Sequence, residues 1–133
     1  MTVRGGLVVF AGLWMLSGCA GMQSAPVDAS TQVRERADKR WQHLLAGRLD
    51  EAYAYLSPGS RERVTAAFYK GGLKPGMWRR AKVTGAECAE DVCKVQVDLT
   101  YEYMRPGLRY ESEKSLDETW VREGGQWWYL LPR

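Results

Sequence analysis

Few side chains in this 133-residue sequence are equipped for chemistry. His43 is the one imidazole, Asp98, Asp117 and Glu118 are carboxylates in strand-like runs, and Cys19, Cys88 and Cys93 are the thiols. An imidazole or carboxylate serves as a general base only when it is held beside the proton it takes, usually with a hydroxyl donor nearby. Placement against the apolar pattern therefore decides. His43 falls on the helical side of Arg36, Lys39 and Arg40 rather than that of Trp41 and Leu44, which predicts a solvated ring. Asp98 alternates onto the wet face of its run. Asp117 and Glu118 are neighbours and so face opposite ways, which makes an inward carboxylate there the best remaining case for a base. Serine nucleophile elbows, phosphate-cradling glycine loops and zinc-ligand spacings are absent, so the sequence assigns no catalytic residue, no metal and no cofactor.

The elements that must position these groups begin after an N-terminal address. Met1 to Arg4 is the positive end, and Leu7 to Leu16 is a ten-residue apolar run. A bilayer-spanning helix takes about 20 apolar residues, so this run reads as the apolar centre of a secretory signal. Leu16-Ser17-Gly18-Cys19 resembles a bacterial lipobox: a branched apolar residue, two small residues and then a cysteine. The resemblance implies that residues 1–18 are removed, that the Cys19 sulfur carries a diacylglyceryl group, and that the new amino group is acylated with a chain such as palmitate. The alternatives are an ordinary signal peptide or an uncleaved anchor. Ala20, rather than Asp, after the cysteine implies by the same resemblance an outer-membrane destination facing the periplasm. Residues 19–30, small and polar without periodicity, suit a tether.

With Cys19 lipidated, Cys88 and Cys93 form an even pair in a chain exported to an oxidising space. They flank Ala89-Glu90-Asp91-Val92, a turn between two strand-like runs, which predicts a disulfide closing a hairpin. A redox or metal role would call for a two-residue gap or a nearby histidine, and neither is there.

Residues 31–133 read as one α+β domain. Val33, Ala37, Trp41, Leu44 and Leu45 recur at helical spacing, with Ser30 or Thr31 as cap; Gly47 bends the helix, and Leu49, Ala52, Tyr53 and Leu56 continue it. Ser60 is the expected cap of a further helix to Tyr69 that turns Val64, Ala67 and Phe68 inward. Beyond Met77 the period becomes two. Cys93, Val95, Val97, Leu99, Tyr101 and Tyr103 alternate with polar residues, Trp78 to Glu87 is the antiparallel partner, a third strand runs from Leu108 to Arg122 with a break near Ser112, and Trp127 to Leu131 is the last. Residues 19–133 hold 18 basic and 16 acidic side chains. That balance gives no basic face for nucleic acid. Two local basic clusters remain, Arg34, Arg36, Lys39 and Arg40 on the helix and Arg79, Arg80 and Lys82 on the first strand. They are solvated faces or approach anionic lipid or an acidic partner.

Helices followed by four strands, with Leu49-Asp50-Glu51-Ala52-Tyr53 after the glycine bend and a closing Glu118-Thr119-Trp120-Val121-Arg122-Glu123-Gly124-Gly125-Gln126-Trp127-Trp128-Tyr129-Leu130, resemble the nuclear-transport-factor-2-like, ketosteroid-isomerase-like fold. The resemblance implies N-terminal helices packed on a curved four-stranded antiparallel sheet, a cystatin-like cone, with a cavity lined by Trp41, Tyr53, Tyr101, Tyr103 and Trp120 or Tyr129, or filled by those rings. It also implies two roles. One is a lipid-anchored, non-catalytic binding or interaction module for an envelope protein or a small hydrophobic ligand. The other is a small enzyme doing general acid/base chemistry on a hydrophobic substrate.

Overall fold

The structure is a computed structural model that describes residues 1–2 and 27–133. Cys19, the lipobox and most of the expected tether lie outside the described residues. Four helices precede four strands: α1 (Ala29–Leu45), α2 (Leu49–Tyr53), α3 (Pro58–Arg63), α4 (Ala66–Gly71), a 3₁₀ turn (Pro75–Met77), then β1 (Trp78–Ala89), β2 (Val92–Arg105), β3 (Leu108–Glu123) and β4 (Gln126–Leu130). The strands form one antiparallel sheet in the order β1-β2-β3-β4. The α+β class expected from the change of period is therefore the observed one.

Helix α1 starts two residues before Thr31 because Asp28, not Ser30 or Thr31, supplies the cap: its carboxylate accepts the Thr31 N–H at 2.9 Å. The Ser30 hydroxyl and the Thr31 amide together hold the Asp28 carboxyl below the usual carboxylate range. Ala29 and Ser30 thus belong to the helix rather than to the tether. Gly47, at φ +71°, ends α1 in a conformation that favours glycine, and α2 leaves as a separate short helix.

The next segment departs from expectation. Ser57 caps α3, and Ser60 sits inside that helix with its hydroxyl accepting the Leu131 N–H at 3.1 Å. Val64 is extended and Thr65 caps α4 afresh. That break resets the helical phase, so Tyr69 turns inward while Phe68 is 76% exposed and Ala67 lies on the surface.

Irregular pairing in β1, between Trp78 and Arg80 and between Val83 and Gly85, bends the sheet. Strand β3 is unbroken through Ser112, which pairs with Tyr101. The Gly124 and Gly125 turn, both at positive φ, closes β3 on β4. The core lies between α1 and one sheet face, where Val33, Ala37, Trp41 and Leu44 meet Val83, Cys93, Val95, Val97, Trp120 and Trp127. Past Tyr101 the β2–β3 hairpin runs beyond this cover as an arm, with Tyr103, Met104, Leu108 and Tyr110 exposed.

Cys88 and Cys93 are directly opposed in the β1–β2 register and are joined by a disulfide. Cys93 is fully buried and Cys88 is half-buried. Thiol labelling of the unfolded, unreduced protein should find neither sulfur free. Breaking the bridge as Cys88→Ala should lower unfolding stability by about 2 kcal/mol through loop entropy. Cys93→Ala should cost more, because it also removes a core side chain, and urea denaturation of both variants measures the difference.

Candidate functional site

Glu118 is the inward member of the Asp117–Glu118 pair: it is 5% exposed, and its neighbour is on the surface. It does not stand free. Arg40, one turn after Ala37 on the buried side of α1, donates from a terminal nitrogen to Glu118 Oε1 at 2.8 Å. The Trp41 indole N–H reaches the same oxygen at 2.9 Å, and the Trp120 indole N–H reaches Oε2 at 3.0 Å. The second terminal nitrogen of Arg40 donates to the Tyr69 hydroxyl at 3.0 Å. The Arg40 guanidinium also lies 3.8 Å from the centre of the Tyr129 ring. Burial works against the guanidinium charge, yet the Glu118 carboxylate, with the Tyr69 and Tyr129 oxygens, holds its pKa above the ordinary value. Arg40 Nε is buried without a partner.

Beside this cluster is a cavity of about 290 Å³ whose lining includes Arg40, Glu118, Tyr129, Trp41, Trp78 and Leu116. Trp41 and Trp78 meet edge to face with ring centres 5.6 Å apart. Burial raises the Tyr129 hydroxyl to about 12, against the opposing pull of Arg40, so it is a neutral phenol at every physiological pH. A wider groove of about 690 Å³ lies on the arm among Tyr103, Met104, Arg105 and Tyr110, but no buried polar group converges there. The smaller cavity is the better-built site: apolar walls with a few fixed polar groups are what small-molecule sites share.

The residues singled out from the sequence separate in space. Trp41 lines the cavity and binds Glu118. Trp120 is fully buried and supports the same carboxylate from the sheet. Tyr53 instead donates its hydroxyl to the Val64 carbonyl at 2.7 Å and leans on Tyr69. Tyr101, half-buried at the end of the core, and Tyr103, exposed on the arm, pack edge to face with ring centres 4.9 Å apart. His43 is half-buried at the other side of α1, where its Nδ1 accepts from Arg48 Nε at 3.1 Å. Asp98 is exposed and accepts the Ser115 hydroxyl at 2.7 Å. Among the described residues no group of side chains is arranged to hold a metal ion.

The basic clusters are partly neutralised. Arg40 is buried, and Arg79 and Arg80 pair with Glu102 and Glu113, while Arg34, Lys39 and Lys82 are exposed without an ion pair among the described residues. The role of Arg40 was visible in principle, since Val33, Ala37, Arg40 and Leu44 follow the four-three-four spacing of one helix face. Tyr69, Trp78 and Pro132 reach the site by tertiary packing and carry no local signal.

Removing one member of a buried ion pair leaves the other charge uncompensated. Arg40→Met should therefore destabilise the fold by about 3–5 kcal/mol, and the double variant R40M/E118Q, which removes the charge and keeps an acceptor for the two indoles, should recover part of that loss in urea denaturation. Tyr129 tests the cavity's dryness. Its hydroxyl is raised in the folded state, so the stability tied to it is complete below the ordinary tyrosine value of 10 and is lost as pH rises through about 12. Ultraviolet titration should show a phenol ionising near 12 that Tyr129→Phe deletes, while the upward shift that Tyr101 imposes on Tyr103 is retained. No protein-family model matches this chain, and no curated protein matches it.

Proposed function

We propose that this protein is a lipid-anchored, non-catalytic binding module of the bacterial envelope, held to the outer membrane and facing the periplasm through acylated Cys19, and that its cavity takes a small hydrophobic ligand. The observation that carries the reading is the state of Glu118. Three donors point at the carboxylate, a terminal nitrogen of Arg40 and the Trp41 and Trp120 indole N–H groups, while the other terminal nitrogen of Arg40 donates to the Tyr69 hydroxyl. A carboxylate held by three fixed donors is committed to holding helix against sheet, whereas a general base has to be placed against the proton that it takes from a substrate. His43 and Asp98 stand outside the cavity lining, and Asp117, which is on the lining, is exposed. The enzymatic alternative thus loses its best-placed base.

What remains is suited to recognition. Indole and leucine walls favour an apolar body by excluding water, and the Tyr129 hydroxyl offers an orienting hydrogen bond to a ligand acceptor. The likeness of the chain to the cone-fold superfamily supports a pocket in this place between helix and sheet. No helix among the described residues is long and apolar enough to cross a membrane, so acyl chains at Cys19 are a sufficient means of attachment for this reading.

Two measurements test it. Mass spectrometry of the membrane-extracted protein should find Cys19 as an acylated N-terminus, and Cys19→Ala should move the protein to the soluble fraction; an unmodified, intact N-terminus overturns the anchor. 2-Naphthol, a small aromatic alcohol that fits a cavity of about 290 Å³, should quench tryptophan fluorescence saturably. Leu116→Trp, which fills the cavity, should abolish that saturation while the far-ultraviolet circular dichroism is retained. Equal quenching in both proteins overturns the cavity as the binding site.

A further inference from the structure

A second feature runs along the outer side of the helices. Starting from α3, the Arg61 guanidinium lies 5.5 Å from the centre of the Trp128 ring, and Arg36 lies over the same ring at 5.3 Å. Arg36 also stacks on Tyr55 at 4.7 Å. The Tyr55 ring centre is 5.8 Å from that of His43, whose Nδ1 accepts from Arg48. Guanidinium, indole, guanidinium, phenol, imidazole and guanidinium therefore follow one another as a continuous ribbon. It is assembled from α1, the α1–α2 turn, the segment after α2, α3 and β4.

Within the ribbon the roles differ. Arg36 is pinned, donating from Nε to the Trp127 carbonyl at 2.6 Å and from its terminal nitrogens to the Gln126 side-chain oxygen. Arg48 and Arg61 are exposed, each held against a ring while its terminal N–H groups stay free of protein partners. None of the three makes an ion pair among the described residues, although Glu35, Glu51 and Glu62 are close in sequence. On the sheet, by contrast, Arg79, Arg80, Arg109 and Arg122 are each paired with a carboxylate. Arg36, Arg48 and Arg61 are thus gathered beside half-buried aromatic side chains. That backing marks this face, since Lys82, Lys94, Arg105 and Lys114 on the sheet also lack an ion pair among the described residues.

We propose that this ribbon is a docking face for the anionic headgroups of a phospholipid leaflet. Two properties favour a leaflet over an acidic polypeptide. Trp and Tyr rings with a buried body and a wet edge are side chains suited to the membrane–water boundary, and arginines beside them match lipid phosphates in pairs of hydrogen bonds. Second, the chain brings the face there. Cys19 is eight residues before Val27, a reach of at most about 28 Å, so an acylated cysteine keeps α1 next to the leaflet continuously. This part rests on the anchored reading above. Docking through the ribbon lays α1 against the membrane, because Arg36 and His43 are two helical turns apart on the same side, and leaves the cavity and the β2–β3 arm to project from it.

The test uses the full chain on vesicles of phosphatidylcholine alone and on vesicles that also contain phosphatidylglycerol, with phenylglyoxal labelling of arginine read by peptide mass spectrometry. Labelling of Arg48 and Arg61 should fall several-fold on the phosphatidylglycerol vesicles and return at about 0.5 M salt, where charge attraction is screened within a few ångströms. Arg105, on the arm, should label equally on both. The R48Q/R61Q variant changes two exposed side chains; amide exchange in its α1 should be the same on both vesicles, whereas the wild type should slow on the anionic ones. Equal labelling and equal exchange overturn the proposal. Protection by soluble polyglutamate, with none from vesicles, overturns it in favour of an acidic polypeptide. Recovery with phosphatidylcholine vesicles reports the acyl anchor separately. If that recovery fails, the anchor is lost, and the same labelling difference on vesicles mixed with the free chain still decides the face.

Discussion

The ion pair between Arg40 and Glu118 is the constraint around which the molecule is arranged. Two charges taken from water into an apolar interior are unfavourable unless each finds partners, and here the partners come from both layers: Trp41 from α1, Trp120 from β3 and Tyr69 from α4. Satisfying one carboxylate therefore dictates the height of α1 over the sheet, the rotation of α1 about its axis, and the position of a six-residue helix that has little reason to be helical on its own. The apolar core gains its area from burial, but it is indifferent to small slips of one layer over the other. The polar cluster is not. The cavity is a by-product of the same geometry, because rings tied to a fixed carboxylate cannot relax inward to fill the space beside it.

This arrangement separates two kinds of surface. Inside, charge is neutralised and the polar groups are spent on structure. Outside, along the helices, Arg36 is fixed between aromatic rings, and the exposed Arg48 and Arg61 keep their terminal N–H groups open to an external anion. Arg36 joins the two. Its hydrogen bonds to Gln126 and Trp127 tie the last strand to α1. A side chain already pinned in this way loses less freedom on meeting a partner than a free arginine does.

How much of this could be read from the sequence follows the range of the interactions involved. The strict alternation from Cys93 to Tyr103 located β2, and the turn between the cysteines predicted the hairpin register that the disulfide closes, because both depend on neighbours in the chain. Alternation also separated Asp117 from Glu118. It could not show which partner Glu118 takes, since Arg40 is 78 residues away in sequence. Arg40 belongs by residue type with its charged neighbours, but its spacing from Val33 and Ala37 places it on the apolar stripe, and position is the better guide. Ser60 has the side chain of a cap, yet Ser57, two residues before Gly59, holds the helix start, and this shift of phase exposes Phe68 and buries Tyr69. The arm tyrosines follow the strand period faithfully, yet the helices end before reaching them. A periodic pattern records which face a side chain takes and not whether anything covers that face.

Strand β4 is short, pairing only with Thr119 to Glu123, so the outer margin of β3 from Leu108 to Glu118 has no neighbouring strand among the described residues. Such a margin invites copies of the same protein to stack into ribbons. Here the margin carries Arg109, Glu111, Glu113, Lys114 and Asp117, side chains that an incoming strand would have to strip of water. The sheet can stay unfinished on that side without seeding a fibre.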